Sequence, residues 1–106
     1  MARTLITVPP SAKRGEIIEI RTLIAHPMET GLRPGADGQV LPRNLIRRFV
    51  CRFNGEPVFS ADLYAAVAAN PLLSFTMLAT NSGTLSFSWE GDNGFAQTEN
   101  VALSVT

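Results

Sequence analysis

Apolar and polar residues alternate with a period of two along most of this chain, and that alternation restricts the possible folds more than any other feature. From Glu16 to Ala25, for example, Ile18, Ile20 and Ile24 share one phase while charged residues occupy the other. Successive side chains of a β-strand point to opposite faces of a sheet, so such a segment is predicted to be a strand with one buried face. The pattern recurs between turn residues, and the predicted strands cover 5–8, 16–25, 45–53, 57–61, 73–77, 85–89 and 101–105.

Seven alternating strands in 106 residues predict an all-β fold, an immunoglobulin-like sandwich of about seven antiparallel strands. A chain of this length forms one domain, so residues 1–106 are expected to be a single unit. Its 45% hydrophobic and 17% charged residues are enough for a packed core. One stretch is ambiguous: the alanines of 61–69 favour a helix, but Asp62 to Tyr64 continue the preceding strand. We expect strand there, followed by at most one helical turn.

Residues 26 to 44 interrupt the alternation with scattered glycines and prolines, and predict a long connection with a tight hairpin at Ala36 to Gly38. Connections this long in so small a domain usually have a function. Further on, Asn54-Gly55 is a strong signal for a two-residue hairpin that leads directly into the next strand.

The strand from 45 to 53 has an aromatic face and an arginine face. Phe49, Cys51 and Phe53 are expected to face the core, because arginines cannot enter a core cheaply unless they are paired. The other phase holds two apolar and two charged side chains. That face is predicted to offer an exposed apolar surface to a partner, formed by Ile46 and Val50 with Arg48 and Arg52 beside them.

Large aromatic residues dominate the cores of β-sandwiches, so the aromatic members of the apolar phases are expected to meet between the two sheets. The predicted inter-sheet core contains Phe49, Phe53, Phe75, Phe87 and Trp89.

Positive and negative charges cancel overall but are unevenly distributed. All nine Lys and Arg residues lie within residues 1 to 52, and the rest of the chain carries acidic residues without a compensating base. A net charge of zero argues against nucleic-acid and anionic-membrane partners. The simpler interpretation of the asymmetry is that opposite charges meet across strands. The alternative is a basic strip offered to an acidic partner, and eight of the nine basic residues are arginines, which interfaces favour.

Candidate chemistry is sparse. His26 and Met28 are two residues apart, as in half of a copper site, but a second histidine is absent. His26 with Glu29 is the one close pair for acid–base work, and the better interpretation is a rigid loop whose side chains bond locally or contact a partner. Cys51 cannot form a disulfide within the chain and lies in a core phase, where burial raises a thiol pKa. We therefore expect no catalytic residues, no metal and no cofactor.

The run from Lys13 to Gly31, KRGEIIEIRTLIAHPMETG, resembles the signature of the SoxZ family, the small subunit of the SoxYZ sulfur carrier of bacterial thiosulfate oxidation. Matches continue in the same order through nearly the whole chain, and the HPMETG loop is the most specific of them. They are Pro42-Arg43, Phe49 to Gly55, Phe59 to Leu63, Asn70-Pro71 with Phe75, and Ser82 to Trp89.

The resemblance implies a scaffold and recognition subunit that pairs with a SoxY-like chain, whose flexible glycine-rich arm bears the sulfur-carrying cysteine. It also implies transient contacts with other periplasmic sulfur-oxidation enzymes. The first residues lack the features of a secretory signal, and the resemblance implies export to the periplasm together with a signal-bearing partner. On this basis the partner-interface candidates are His26, Met28, Glu29, Arg43, Ile46, Arg48, Val50 and Arg52.

Two other functions remain open from the residues alone. One is an immunoglobulin-like interaction domain of an unrelated complex, since this fold has many roles. The other is a small metal-binding electron-transfer protein, for which His26 and Met28 are the starting points.

Overall fold

The two sheets of the molecule have three and five strands. The structure is a computed structural model that describes residues 2–106. Its strands are β1 (Thr4–Thr7), β2 (Ser11–Ala12), β3 (Ile17–Ile24), β4 (Ile46–Phe53), β5 (Glu56–Asp62), β6 (Leu72–Leu78), β7 (Gly83–Gly91) and β8 (Ala96–Val105), with a 3₁₀ turn at Asp92–Gly94. The orders are β1-β3-β6 and β2-β8-β7-β4-β5. The predicted all-β sandwich is therefore confirmed, with the two-residue β2 added to the seven predicted strands.

Pro9 and Pro10 explain why the first strand is divided between the sheets. β1 pairs antiparallel with β3, and after the two prolines β2 pairs parallel with β8. Proline has no backbone N–H to donate and is confined to sheet edges and exits, so the chain leaves one sheet here and joins the other. All other strand pairs are antiparallel.

Phe49 of β4 is the centre of the inter-sheet core. Its ring lies 5.3 Å from that of Trp89, 6.3 Å from that of Phe87 and 6.2 Å from that of Phe75, which belongs to the opposite sheet. These four aromatic side chains are buried, and Phe53 is half-buried against them. The expected aromatic core is thus confirmed, with Phe53 at its margin.

The face of β3 predicted to be buried is also confirmed. Ile18, Ile20, Thr22 and Ile24 are each at most 3% exposed, and the alternate residues of the strand are accessible. Such regular alternation leaves the outer face of the three-stranded sheet in contact with solvent.

The phase predicted for β4 is wrong at its start. A β-bulge between Ile46 and Arg48 changes the register against β7, so Ile46 turns inward and is fully buried, whereas Arg47 and Arg48 both face outward. A bulge places two residues opposite one and shifts the alternation by one position. Val50 does lie on the outer face, but it is buried between Arg48 and Arg52 on its own strand and Ser60 and Ser88 on the neighbouring strands.

The alanine-rich segment forms no helix. β5 ends at Asp62, two residues earlier than expected, although the Leu63 N–H still donates to the Arg47 carbonyl at 2.8 Å. A single turn follows, closed by the Val67 N–H on the Tyr64 carbonyl at 3.0 Å. The predicted hairpins at Ala36 to Gly38 and at Asn54-Gly55 are present.

Replacing Phe87 with alanine tests the core directly. The side chain is fully buried against Phe49, so its removal leaves a cavity and should lower the free energy of unfolding by roughly 3–5 kcal/mol. Urea denaturation followed by tryptophan fluorescence measures the loss. Val58→Ala, at a residue 41% exposed on the edge strand β5, is the control and should cost under about 0.5 kcal/mol. A loss below about 1 kcal/mol for Phe87→Ala would contradict this register.

Candidate partner-binding site

His26, at the start of the long connection, holds the loop in place from the inside. Its side chain is buried, and its Nδ1 accepts a hydrogen bond from the Met28 N–H at 3.0 Å. Its backbone N–H donates to Oδ1 of Asn70 at 2.9 Å, and its carbonyl accepts from the Asn70 N–H at 2.8 Å. Burial lowers the pKa of His26, while the negative charge of Asp92 opposes that effect. His26 is therefore inaccessible to a partner.

Met28 is likewise a structural residue. It has a positive φ of 50°, and its sulfur accepts a hydrogen bond from the Ile46 N–H at 3.3 Å. With 4% of its surface exposed, it packs in the core and not on the surface. The thioether and the imidazole ring of the loop are thus both engaged internally. Among residues 2–106 no group of three or more His, Cys, Asp or Glu side chains is arranged to hold a metal.

The next part of the loop turns outward. Glu29 and Asn44 exchange both backbone hydrogen bonds at 2.8 and 2.7 Å, and the Glu29 carboxylate pairs with Arg33 at 2.6 Å. Gly31 has a φ of +82°, and a Cβ there would lie 3.0 Å from the Cβ of Arg43. A side chain at Gly31 would therefore be strained by its backbone and crowded by its neighbour, which explains the glycine.

Asp92 fixes the end of the connection to the turn between β7 and β8. Its carboxylate bonds the Arg43 guanidinium at 2.9 and 3.0 Å and accepts the Leu45 N–H at 3.1 Å. In return, the Asp92 N–H donates to the Leu45 carbonyl at 2.8 Å. Partial burial favours the neutral acid, but the Leu45 N–H and the cations of Arg43 and Arg47 hold the pKa of Asp92 below its ordinary value.

A groove of about 690 Å³ opens beside the contact of Asp92 with Arg43 and Leu45. We call it the arginine groove. Its lining includes Arg43, Arg47 and Arg48, and Asp62 is the acidic residue among the lining residues. Leu32 from the long connection and Tyr64 from the segment after β5 also line it, and they are 82% and 67% exposed.

The three arginines of the groove differ in how well they are paired. Arg43 is held by Asp92 through two short contacts, and Arg48 contacts Asp62 at 3.1 Å in an exposed pair. Arg47 lies 3.8 Å from the same Asp92 carboxylate, and within residues 2–106 it has no closer acidic neighbour. Arg47 is therefore the cation of the groove that is most available to a ligand.

The eight predicted interface residues do not form one surface. Arg43 and Arg48 are exposed, Arg52 is half-buried and the Glu29 side chain is 15% exposed, whereas four are buried: His26, Met28, Ile46 and Val50. The expectation that Ile46 and Val50 form an exposed apolar surface is wrong, because the bulge turns the first inward and neighbouring side chains cover the second.

Cys51 is sealed in the core. Cys51 has no exposed surface, and burial raises the pKa of its thiol to about 11. A thiolate is the reactive form, so Cys51 is protonated and inaccessible at neutral pH. The inward placement predicted from the alternation is confirmed.

Ion pairs compensate part of the charge asymmetry. Three of the five ion pairs of the described residues join the basic first half to the acidic second half, through Asp62 and Asp92. At the arginine groove, three arginines stand against two carboxylates, those of Asp62 and Asp92. No helix among residues 2–106 is long and apolar enough to cross a membrane.

The architecture defines the class of this protein as an immunoglobulin-like β-sandwich, and comparison with known proteins identifies its family. The family model of the sulphur oxidation protein SoxZ matches residues 6–102, nearly the whole chain. The chain belongs to the SoxZ family and is a subunit of the Sox sulfur-oxidation system. No curated protein matches it.

Solved structures share the fold of this chain at low sequence identity. A superoxide reductase (neelaredoxin) from Ignicoccus hospitalis has 18% identity and a TM-score of 0.76 over 99% of this chain and 82% of that chain. The sulfur carrier protein SoxY from Chlorobium limicola f thiosulfatophilum has 16% identity and a TM-score of 0.67 over 97% and 78%. The CARDB domain of PF1109 from Pyrococcus furiosus has 12% identity and a TM-score of 0.57 over 100% and 94%. At these identities the likenesses establish the fold alone.

Sequence reasoning missed the residues that shape the groove. Asp92 stands in a turn-forming run and gave no sign of contact with Arg43. Leu32 lies in the long connection and Tyr64 in the turn after β5, and only the three-dimensional arrangement brings them to one groove. The alternating pattern predicts strands, so it makes no prediction for such irregular segments.

The buried His26 predicts a loss of stability in weak acid. Because its pKa is lowered in the folded protein from a value of 6.5, the unfolded chain takes up a proton below about pH 6.5 that the folded chain does not. The free energy of unfolding should therefore fall as the pH is lowered from about 7.5 to 5.5. Urea titrations across this range measure the slope.

His26→Asn is the matched variant, since its Oδ1 takes the place of Nδ1 as acceptor and does not titrate. His26 is the single histidine of the chain, so the difference between the two slopes isolates it. The variant should be less sensitive to pH than the wild type. Equal slopes would show that the imidazole is protonated as readily in the folded protein as in the unfolded chain.

Proposed function

We propose that this protein is the non-catalytic subunit of a heterodimeric sulfur carrier in thiosulfate oxidation, acting as scaffold for a SoxY-like chain that bears the substrate-carrying cysteine. The observation that carries the proposal is the match to the SoxZ family over residues 6–102. The burial of Cys51 supports the assignment of the carrier thiol to the partner, because a carrier thiol must be reached by several enzymes in turn. Family membership likewise supports a periplasmic location, with export alongside the partner.

The outer face of the three-stranded sheet suits a permanent partner. Leu5, Leu23 and Leu72 are aligned across β1, β3 and β6, and Ile17 faces Leu78 at the other end of the sheet. We call these five residues the outer leucine face. Leu5 is 63% and Leu72 is 62% exposed, and a shallow depression of about 390 Å³ lies at this end.

Permanent interfaces are more apolar than transient ones, and an exposed apolar patch of this kind is a mark of such an interface. The middle of the face carries the ion pair of Arg21 and Glu19, at 2.7 Å, which offers both signs of charge to the partner. We propose that the SoxY-like chain covers the outer leucine face. The surface around Arg48 and Arg52 suits this role less well, since burial of Ile46 and Val50 leaves it without an accessible apolar centre.

The members of the predicted interface set that are not buried have a different place in this proposal. Glu29, Arg43, Arg48 and Arg52 are charged, and they are suited to contacts with the transient partners of the carrier. Arg43 and Arg48 line the arginine groove, and Glu29 holds Arg33 beside it.

Co-expression with a SoxY-like chain tests the pairing. The two chains should co-purify as a complex, and Leu72→Asp should weaken that complex at least about tenfold, because it places a charge in a desolvated apolar patch. Val58→Asp is the control, since it makes the same chemical change on the edge strand of the other sheet. Sizing by light scattering and titration calorimetry measure the effect, and thermal unfolding of each isolated variant verifies folding.

The outcomes separate the proposed function from the proposed face. Absence of any complex with the wild-type chain would contradict the heterodimer itself. A wild-type complex that tolerates Leu72→Asp as well as Val58→Asp would contradict the face and leave the heterodimer standing.

A further inference from the structure

The arginine groove has a composition unlike that of the outer leucine face. Its charged lining consists of Arg43, Arg47, Arg48 and Asp62. With Asp92, which contacts two of these arginines, three cations stand against two carboxylates, so positive charge is in slight excess. The arginine side chains are 51%, 62% and 53% exposed in their ion pairs, and remain hydrated. Solvated charges contribute little to permanent association, but they speed and orient reversible encounters.

Two apolar side chains stand beside these cations. Leu32 and Tyr64 come from segments far apart in the sequence, and both line the groove with most of their surface exposed. Tyrosine and arginine are the residues that most often act as anchors in protein interfaces. A ligand that satisfies the whole groove therefore carries carboxylates for the arginines and an apolar side chain for Leu32 and Tyr64.

The backbone around the groove is fixed in advance. Asp92 holds Arg43 and the Leu45 N–H, and the Leu63 N–H is bonded to the Arg47 carbonyl. The guanidinium of Arg47 lies 3.8 Å from the Asp92 carboxylate, so it loses only a long ion-pair contact when it turns to a new carboxylate. A ligand then binds without the cost of ordering these segments.

We infer that the arginine groove is a docking site for an acidic segment of another protein that binds the carrier reversibly. Its carboxylates pair with Arg47 and its neighbours, and an apolar residue of the segment packs between Leu32 and Tyr64. The groove volume of about 690 Å³ fits several side chains of such a segment and is far larger than an inorganic oxyanion needs. The inference rests on the proposed carrier role, and it does not depend on which chain covers the outer leucine face.

NMR titration of the full-length, ¹⁵N-labelled chain with an acetylated Glu-Leu-Glu-Glu-Leu-Glu peptide tests this inference. The amides of Leu32, Arg47, Arg48 and Tyr64 should shift, with weak affinity that falls further between about 50 and 300 mM salt. The same peptide with lysine in place of glutamate should cause no such shifts. Sodium sulfate at equal charge concentration should also leave them unchanged.

Arg47→Glu should weaken peptide binding about three- to tenfold, because it reverses the charge of the least-paired cation. Arg14→Glu, which makes the same change at an exposed arginine outside the lining of the groove, is the matched control and should bind like the wild type. Equal affinities for these two variants, absence of peptide binding, or equal binding of the lysine peptide would each overturn the inference. Identical shifts with sulfate would make the groove a small-anion site and would also overturn it.

The same titration on the co-expressed heterodimer locates the groove in the assembly. Retention of the shifts supports docking of a reversible partner. If the peptide binds the isolated chain but not the heterodimer, the permanent subunit itself covers the groove, and the inference of a reversible partner is wrong while the heterodimer stands.

Discussion

The carboxylate of Asp92 is the contact on which the rest of the functional surface depends. It holds Arg43 and the Leu45 N–H, and so joins the end of the long connection to the turn between β7 and β8. Gly91, next to it, has an extended backbone but no room for a side chain, because a Cβ there would collide with the Leu45 carbonyl oxygen. The groove next to this contact is lined by the three arginines together with Tyr64 and Leu32.

The bulge at the start of β4 separates the two roles of that strand. Beyond it, Phe49 and Cys51 fill the core, and before it Ile46 is buried against Met28 of the loop. Because the bulge places Arg47 and Arg48 side by side on the outside, one strand both seals the thiol and supplies the cations of the groove. The HPMETG loop is therefore a structural element, whose histidine and methionine hold the backbone that ends at the groove.

The regular strands could be predicted from the sequence, and the irregular segments could not. Ile18, Ile20, Thr22 and Ile24 lie inside as their alternation indicates, since a single pleated strand determines which face is buried. Ile46 departs from this rule because a bulge depends on the partner strand, which the local pattern does not contain.

The same limit applies to the candidate site. Arg43 and Arg48 were identified as interface residues from the resemblance, but Leu32 and Tyr64 come to one groove only in the folded chain. His26 and Met28 were candidates for a metal site and for the interface because of their side-chain chemistry. Their buried hydrogen bonds give them a structural role instead.

In the proposed function, the sulfur chemistry takes place on the partner's thiol and this chain supplies the scaffold. Peptide mass spectrometry of the co-expressed heterodimer tests this division of roles, after incubation with thiosulfate and the thiosulfate-oxidising enzymes and with the adduct mapped to individual cysteines. We expect a sulfur adduct on the partner's cysteine and an unmodified Cys51, with unchanged loading in the Cys51→Ser variant. A persulfide or thiosulfonate on Cys51, at a yield comparable to that of the partner's cysteine, would contradict the scaffold role.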